Sequence, residues 1–193
     1  MIKRTDKIIR FLKEIDKLKL VEREPYCSDL KTREDDACHS WHLAMFLILF
    51  QKDLPKDLDS ERMLKIALIH DLVEIYAGDT FAFDKVNKKT QKKRELAAAK
   101  KLFSQLPDDL NKDLSGLFRE FEEVKTPEAK MVQSFDKIAP MLQNLICNGM
   151  AWKKHGIKYK DIDDYKRHLM THNDLIYKIY RGFLEEAKER KLI

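Results

Sequence analysis

The amino-acid sequence predicts an all-α helical bundle, and three observations lead there. Glycine and proline number five each and valine five, while Leu, Lys, Glu and Ala are plentiful, which leaves little material for strands and tight turns. Apolar residues recur at three- and four-residue spacing along most of the chain. Helix-start and helix-stop residues fall between those periodic stretches.

The first element spans Lys3 to Leu20, where Ile8, Phe11, Leu12 and Ile15 mark one amphipathic face. Val21 to Cys38 carries Pro25, Ser28-Asp29 and a run of acids without sustained period, and reads as a long ordered loop of the kind that tends to carry function. From Ala37 to Gln51 the apolar density rises, predicting a buried central helix. Ser60 is a reasonable N-cap for a helix over Glu61 to about Tyr76, ended by Gly78. A short loop, Asp79 to Asp84, leads to a lysine-rich helix over Lys85 to Leu106, and Pro107-Asp-Asp109 opens another running to about Val124.

Thr126-Pro127-Glu128 is a capping residue, a proline at the first helical position and an acid in the first turn. The helix that starts there places Val132, Phe135, Ala139, Leu142 and Ile146 on one face, with Asp136 among them and a kink expected at Pro140. Gly149 to Gly156 reads as a connection, and Ile162 to Phe183 as one long terminal helix.

Composition bounds the function. A length of 193 residues favours one domain over 1–193 with a sizeable core. The 37% of charged residues suits solvated helix faces, and the net charge of +5 comes from lysines interleaved with acids, which argues against a nucleic-acid partner. No stretch reaches the roughly 18 apolar residues of a membrane span or forms a secretory leader, so no membrane partner is expected and a cytoplasmic location follows by default. Three cysteines without C-x-x-C spacing suggest reduced thiols.

Chemistry concentrates where polar groups interrupt apolar helices. His39, His70, Asp71 and Asp136 are each a metal-ligand type at an apolar helical position. Burying such carboxylates without partners costs several kcal/mol or forces them neutral. One divalent ion would satisfy all four, and mixed N and O ligation suits Mn, Co, Fe, Ni or Zn. Glu74, four residues after His70, lies on the same face and can take a proton from a water that the ion acidifies, while Asp79 comes just after the Gly78 stop. Taken singly these residues have blander readings, since a lone His on an apolar face is more often a hydrogen-bonded core residue. His42, His155, His168 and His172 keep that reading.

Three motifs occur in order: Cys38-His39-Ser40-Trp41, then Leu68-Ile-His70-Asp71-Leu-Val-Glu74-Ile-Tyr-Ala-Gly78-Asp79, then Glu128-Ala-Lys-Met-Val-Gln-Ser-Phe-Asp136-Lys137. This set resembles the HD-domain phosphohydrolases, and more narrowly their 5'-deoxynucleotidase branch. The likeness runs from Leu18 to about Leu145 and includes Arg94-Glu95 and Ala99.

The resemblance implies an HD-type bundle, a metal held by His39, His70, Asp71 and Asp136, and Glu74 beside the attacking water. It places Asp79, Thr80, Phe81 and Ala82 against the nucleoside and makes Arg23 the phosphate-holding arginine, with Arg33 as the fallback. His39, Asp71 and Glu24 also fall among the substrate contacts. A nucleoside 5'-monophosphate substrate and a homodimer follow from it. Glu24 stands where bacterial members carry a tryptophan tied to sugar selection, and Cys38 replaces an acid. Two alternatives remain: an HD phosphohydrolase acting on a cyclic nucleotide, a triphosphate or a non-nucleotide phosphate, and a basic helical binding protein using Lys85 to Lys101.

Overall fold

A computed structural model describes residues 3–193. The chain is almost wholly helical: α1 (Arg4–Ile15), α2 (Asp36–Phe50), α3 (Ser60–Ile69), α4 (Glu74–Ala77), α5 (Lys88–Phe103), α6 (Asp108–Glu123), α7 (Pro127–Ile146), α8 (Met150–Lys154), α9 (Tyr159–Met170) and α10 (Asp174–Glu189). The all-α expectation holds. Helix α7 packs against α2, α3, α6, α9 and α10, so the bundle is arranged around it.

Several boundaries differ from the sequence reading, each for a physical reason. Residues 21–38 are not a featureless loop, because Glu22–Tyr26 (β1) and Arg33–Asp35 (β2) pair antiparallel, with Glu22 opposite Asp35 and Tyr26 opposite Arg33. Asp29 closes the hairpin by accepting from the backbone N–H groups of Lys31 (3.0 Å) and Thr32 (2.9 Å). No apolar alternation betrays these strands, because their inward side chains include Arg23 and Glu34, buried by charge pairing.

The first helix ends at Ile15 and tightens into a 3-10 turn over Asp16–Leu20. Asp59, not Ser60, caps α3 by accepting from the Arg62 N–H at 2.9 Å. The expected helix from Glu61 to Tyr76 breaks after Ile69. Beyond it Leu72, Glu74 and Tyr76 bond three residues back instead of four, a tighter winding that lets the chain turn at His70-Asp71.

Helix α7 starts as expected, with Thr126 Oγ1 accepting from the Ala129 N–H at 3.2 Å, and continues through Pro140 to Ile146. Its buried side is broader than one stripe: Ile138, Met141 and Leu145 are enclosed, while Ile146 is exposed. The Gly149–Gly156 connection contains α8. The expected single terminal helix is two, because Asn173 Oδ1 accepts from the Ile176 N–H (3.1 Å) and caps a new start at α10. The apolar spacing runs across this break because α9 and α10 both pack on α7. Among the described residues no helix is long and apolar enough to cross a membrane.

Candidate metal centre and substrate cavity

Three helical segments bring the four expected ligands together. His39 lies in the first turns of α2, His70 and Asp71 at the break after α3, and Asp136 in the middle of α7. His39 Nε2 is 3.0 Å from Asp136 Oδ1 and 3.9 Å from Asp71 Oδ2, while His70 Nε2 is 3.1 Å from Asp71 Oδ1 and 3.8 Å from Asp136 Oδ1. One ligand atom each from His39, His70 and Asp136 falls within a 4.8 Å cluster, and all three residues are buried.

The donor set suits a divalent ion. His70 Nδ1 is 2.9 Å from the Ala67 carbonyl, which assigns a proton to Nδ1 and turns Nε2 toward the carboxylates. Nε2 itself makes no hydrogen bond, and neither does His39 Nδ1, so buried donors stand uncompensated at the cluster. Without a cation, charges must balance otherwise. Burial disfavours the charged His70 ring, but Asp71 and Asp136 outweigh it and hold its pKa at about 10. Burial, reinforced by the Arg23 charge, pushes His39 down to about 4. Both carboxylates are held low against their own burial, Asp71 first by His70 and Asp136 first by Lys137, so their charges are fixed and available.

A second group of acids adjoins the first. Asp36, Glu74 and Asp79 approach one another within 4.8 Å. Burial, then the charges of Asp71, Asp36 and Asp79, raises the Glu74 carboxyl well above its ordinary value. Asp36 is pushed to about 7 by burial and then by Asp71. Between the groups lies Arg23, whose Nη1 is 2.8 Å from Asp36 Oδ1, 3.0 Å from Asp71 Oδ2 and 3.8 Å from Asp79 Oδ1. Its Nε makes no hydrogen bond. Arg33, by contrast, reaches back to the Glu24 carboxylate and carbonyl and serves the hairpin.

All of these except His39 and Asp36 line one cavity with Glu24, Thr80, Phe81 and Ala82. Gly78, at φ 73° and ψ 146°, occupies backbone space essentially restricted to glycine and swings the chain out of α4 to present Asp79. Arg94 anchors the segment beyond Asp79, donating to the Ala77 carbonyl and, at 2.7 Å, to Thr80 Oγ1. At the rim, one oxygen of Glu24 receives Arg33, Lys154 and His155, and the His155 ring lies 4.5 Å from that of Phe81.

An HD-domain family model matches residues 15–175. The chain belongs to the HD-domain family. A Danio rerio protein named 5'-deoxynucleotidase HDDC2 is 32% identical over 72% of this chain and 68% of its own length. The Homo sapiens protein of that name is 30% identical over 70% of this chain and 66% of its own length. A crystal structure of a predicted metal-dependent phosphohydrolase from Magnetospirillum magnetotacticum MS-1 superposes with a TM-score of 0.90, at 33% identity and covering 98% of both chains. This HD-domain chain is a metal-dependent phosphohydrolase, which sets aside the non-enzymatic alternative.

Several residues in or beside the cavity of the HD-domain chain escaped the sequence reading. Asp36 was readable in principle, standing three residues before His39 and thus on its face of α2. Glu95 and Glu122 give carboxylates to the wall from α5 and α6. Lys166 sits at i+4 between Ile162 and Met170, a lysine inside an apolar stripe, and that interruption was its signal.

Proposed function

We propose that this phosphohydrolase, acting as one HD-domain unit over residues 1–193, hydrolyses (deoxy)nucleoside 5'-monophosphates to nucleoside and phosphate. The observation that carries the reading is the cavity itself. His70 and two fixed carboxylates meet on its inner wall with His39 directly behind them, a buried carboxyl with a raised pKa stands beside them, and aromatic Phe81 also lines it. The name 5'-deoxynucleotidase, shared by the Danio rerio and Homo sapiens relatives, favours a nucleotide over other phosphate esters.

His39, His70, Asp71 and Asp136 would hold the divalent ion, one of Mn, Co, Fe, Ni or Zn. When bound, that ion supplies Lewis-acid polarisation of the phosphate and acidifies water. Glu74, whose carboxyl is held well above its ordinary value by burial and by Asp71, Asp36 and Asp79, accepts the proton of the attacking water. Arg23, held against Asp36 and Asp71, offers its guanidinium fork to phosphate oxygens and steadies the charge that shifts during transfer. Asp79 accepts from a sugar hydroxyl, and the Thr80 to Ala82 segment, fixed by Arg94, flanks the nucleoside. Glu24 uses one carboxylate oxygen for Arg33, Lys154 and His155, which leaves the other to meet the sugar. The proposed enzyme is a homodimer with a cytoplasmic location.

The test is a phosphate-release screen of the purified protein with each of the five metals. Substrates are deoxy- and ribonucleoside 5'-monophosphates, cyclic nucleotides, triphosphates and non-nucleotide monoesters. Release is expected from the 5'-monophosphates above all others. Preferred turnover of any other class would overturn the substrate assignment, and light scattering of the same sample checks the dimer.

A further inference from the structure

Lys166 comes from α9, an element that contributes nothing to the imidazole and carboxylate clusters, and it is only 5% exposed. It shares the buried face of α9 with Ile162 and Met170. A lysine in such a stripe ordinarily snorkels to water. This one instead lines the cavity that Asp71 and Glu74 line, and its ammonium donates to the main-chain carbonyl of Lys137. Among the described residues it forms no ion pair with a carboxylate. A buried ammonium with one neutral acceptor is costly to keep, and burial, followed by the Lys137 charge, brings its pKa down to about 7.

The neighbouring cation deepens the imbalance. Lys137 Nζ lies 2.7 Å from Asp136 Oδ2. Asp136, already shared with His39 and His70, would also help neutralise a divalent ion, which leaves less of its charge for Lys137 when the ion is bound. Two ammoniums then border a cavity that Glu95 and Glu122 also line, but neither of those carboxylates is ion-paired with them, and both ammoniums are left to meet an anion that enters it.

We propose that Lys166 is a phosphate-binding residue: together with Lys137 it forms an oxyanion subsite on the α7 and α9 wall, separate from the hairpin that carries Arg23. Its ligand is a phosphate dianion, either the phosphoryl group of the ester or the inorganic phosphate released from it. This rests on the reading of the cavity as a phosphoester site, but not on the nucleotide.

The test measures binding of inorganic phosphate to the metal-loaded protein by calorimetry, in the wild type and in the Lys166→Met and Lys166→Arg variants. Metal content and melting temperature are recorded for each. Losing one charged hydrogen bond should weaken phosphate binding in Lys166→Met by roughly tenfold or more. Lys166→Arg should stay nearer the wild type, with metal content equal in all three. Melting of the phosphate-free Met variant should not fall, since a costly buried charge has gone. Lys166→Gln carries the same comparison should the Met variant fail to fold. Unchanged phosphate affinity in the uncharged variant, or a loss that tracks lost metal or lowered melting temperature, overturns the subsite. Phosphate binding through Lys166 without nucleotide hydrolysis would leave it standing and overturn only the nucleotide reading. Comparing a 5'-monophosphate with inorganic phosphate across the same variants shows whether ester, product or both use the lysine.

Discussion

His39 Nε2 and Asp136 Oδ1 lie 3.0 Å apart, although 97 positions separate the two residues in the chain. The pairing joins α2 to α7 at the centre of the bundle and brings the broken end of α3 against both. Asp136 also faces His70 and Lys137, so its charge is shared among three basic groups.

Replacing Asp136 by Asn should therefore have two effects. Metal affinity should fall by more than about 100-fold, since even residues that only orient ligands cost 10- to 100-fold. The cation-free protein should lose about 3 kcal/mol, because the partly buried Lys137 loses its paired carboxylate and the buried His70 keeps only Asp71. Metal titration and urea denaturation measure the two separately, and a variant matching the wild type in both would remove Asp136 from the site.

Glu74→Gln keeps size and hydrogen-bonding capacity but cannot take a proton. Turnover should drop by roughly 10²- to 10⁴-fold with metal content unchanged. Undiminished turnover in a metal-replete Gln variant would end the proposed role of Glu74.

Metal binding should release protons. With its pKa raised to about 10, cation-free His70 is an imidazolium at neutral pH, and ligation requires it neutral. Binding heats measured in buffers of different ionisation enthalpy should report proton release near pH 7, and affinity should climb between pH 7 and 9. The stability linkage has the opposite sense: His70's contribution to the cation-free fold is complete below its unfolded value near 6.5 and is lost as pH rises through about 10. Metal affinity independent of pH across that range would contradict the assignment.

At the rim, the Glu24 carboxyl is opposed by its own burial but drawn down to about 2, first by Arg33, then by His155 and Lys154. A depressed acid contributes stability above its unfolded value, here near 4.5, and loses it as pH falls through the folded value. Glu24→Gln should thus cost about 1 kcal/mol at pH 7 for this partly exposed cluster, with the gap to wild type closing between pH 4.5 and 2. Chemical denaturation across that range checks it. A gap that persists at pH 2 would mean that packing, not charge, holds the hairpin to α8.

The hairpin marks where sequence patterns ran short. Apolar density placed α2 well, helix-start residues placed α6, and capping with an apolar face placed α7, because those helices bury apolar residues. Strands β1 and β2 bury Arg23 and Glu34 among opposite charges, a pattern no hydrophobic alternation records. The break at His70 was equally hidden, since apolar residues on both sides of it pack inward and keep the spacing regular.

Local sequence specified the helical class and singled out His39, His70, Asp71, Asp136 and Glu74 as candidates, because each is a polar side chain placed where a helix must be buried. Tertiary structure alone decided which charges share a space. It set Arg23 between Asp36 and Asp71, tied Glu24 to His155 across 131 positions, and turned Lys166 into the same cavity from the far end of the chain. Local patterns fix how a segment folds, whereas electrostatic partners over long separations come into being only when the helices have packed.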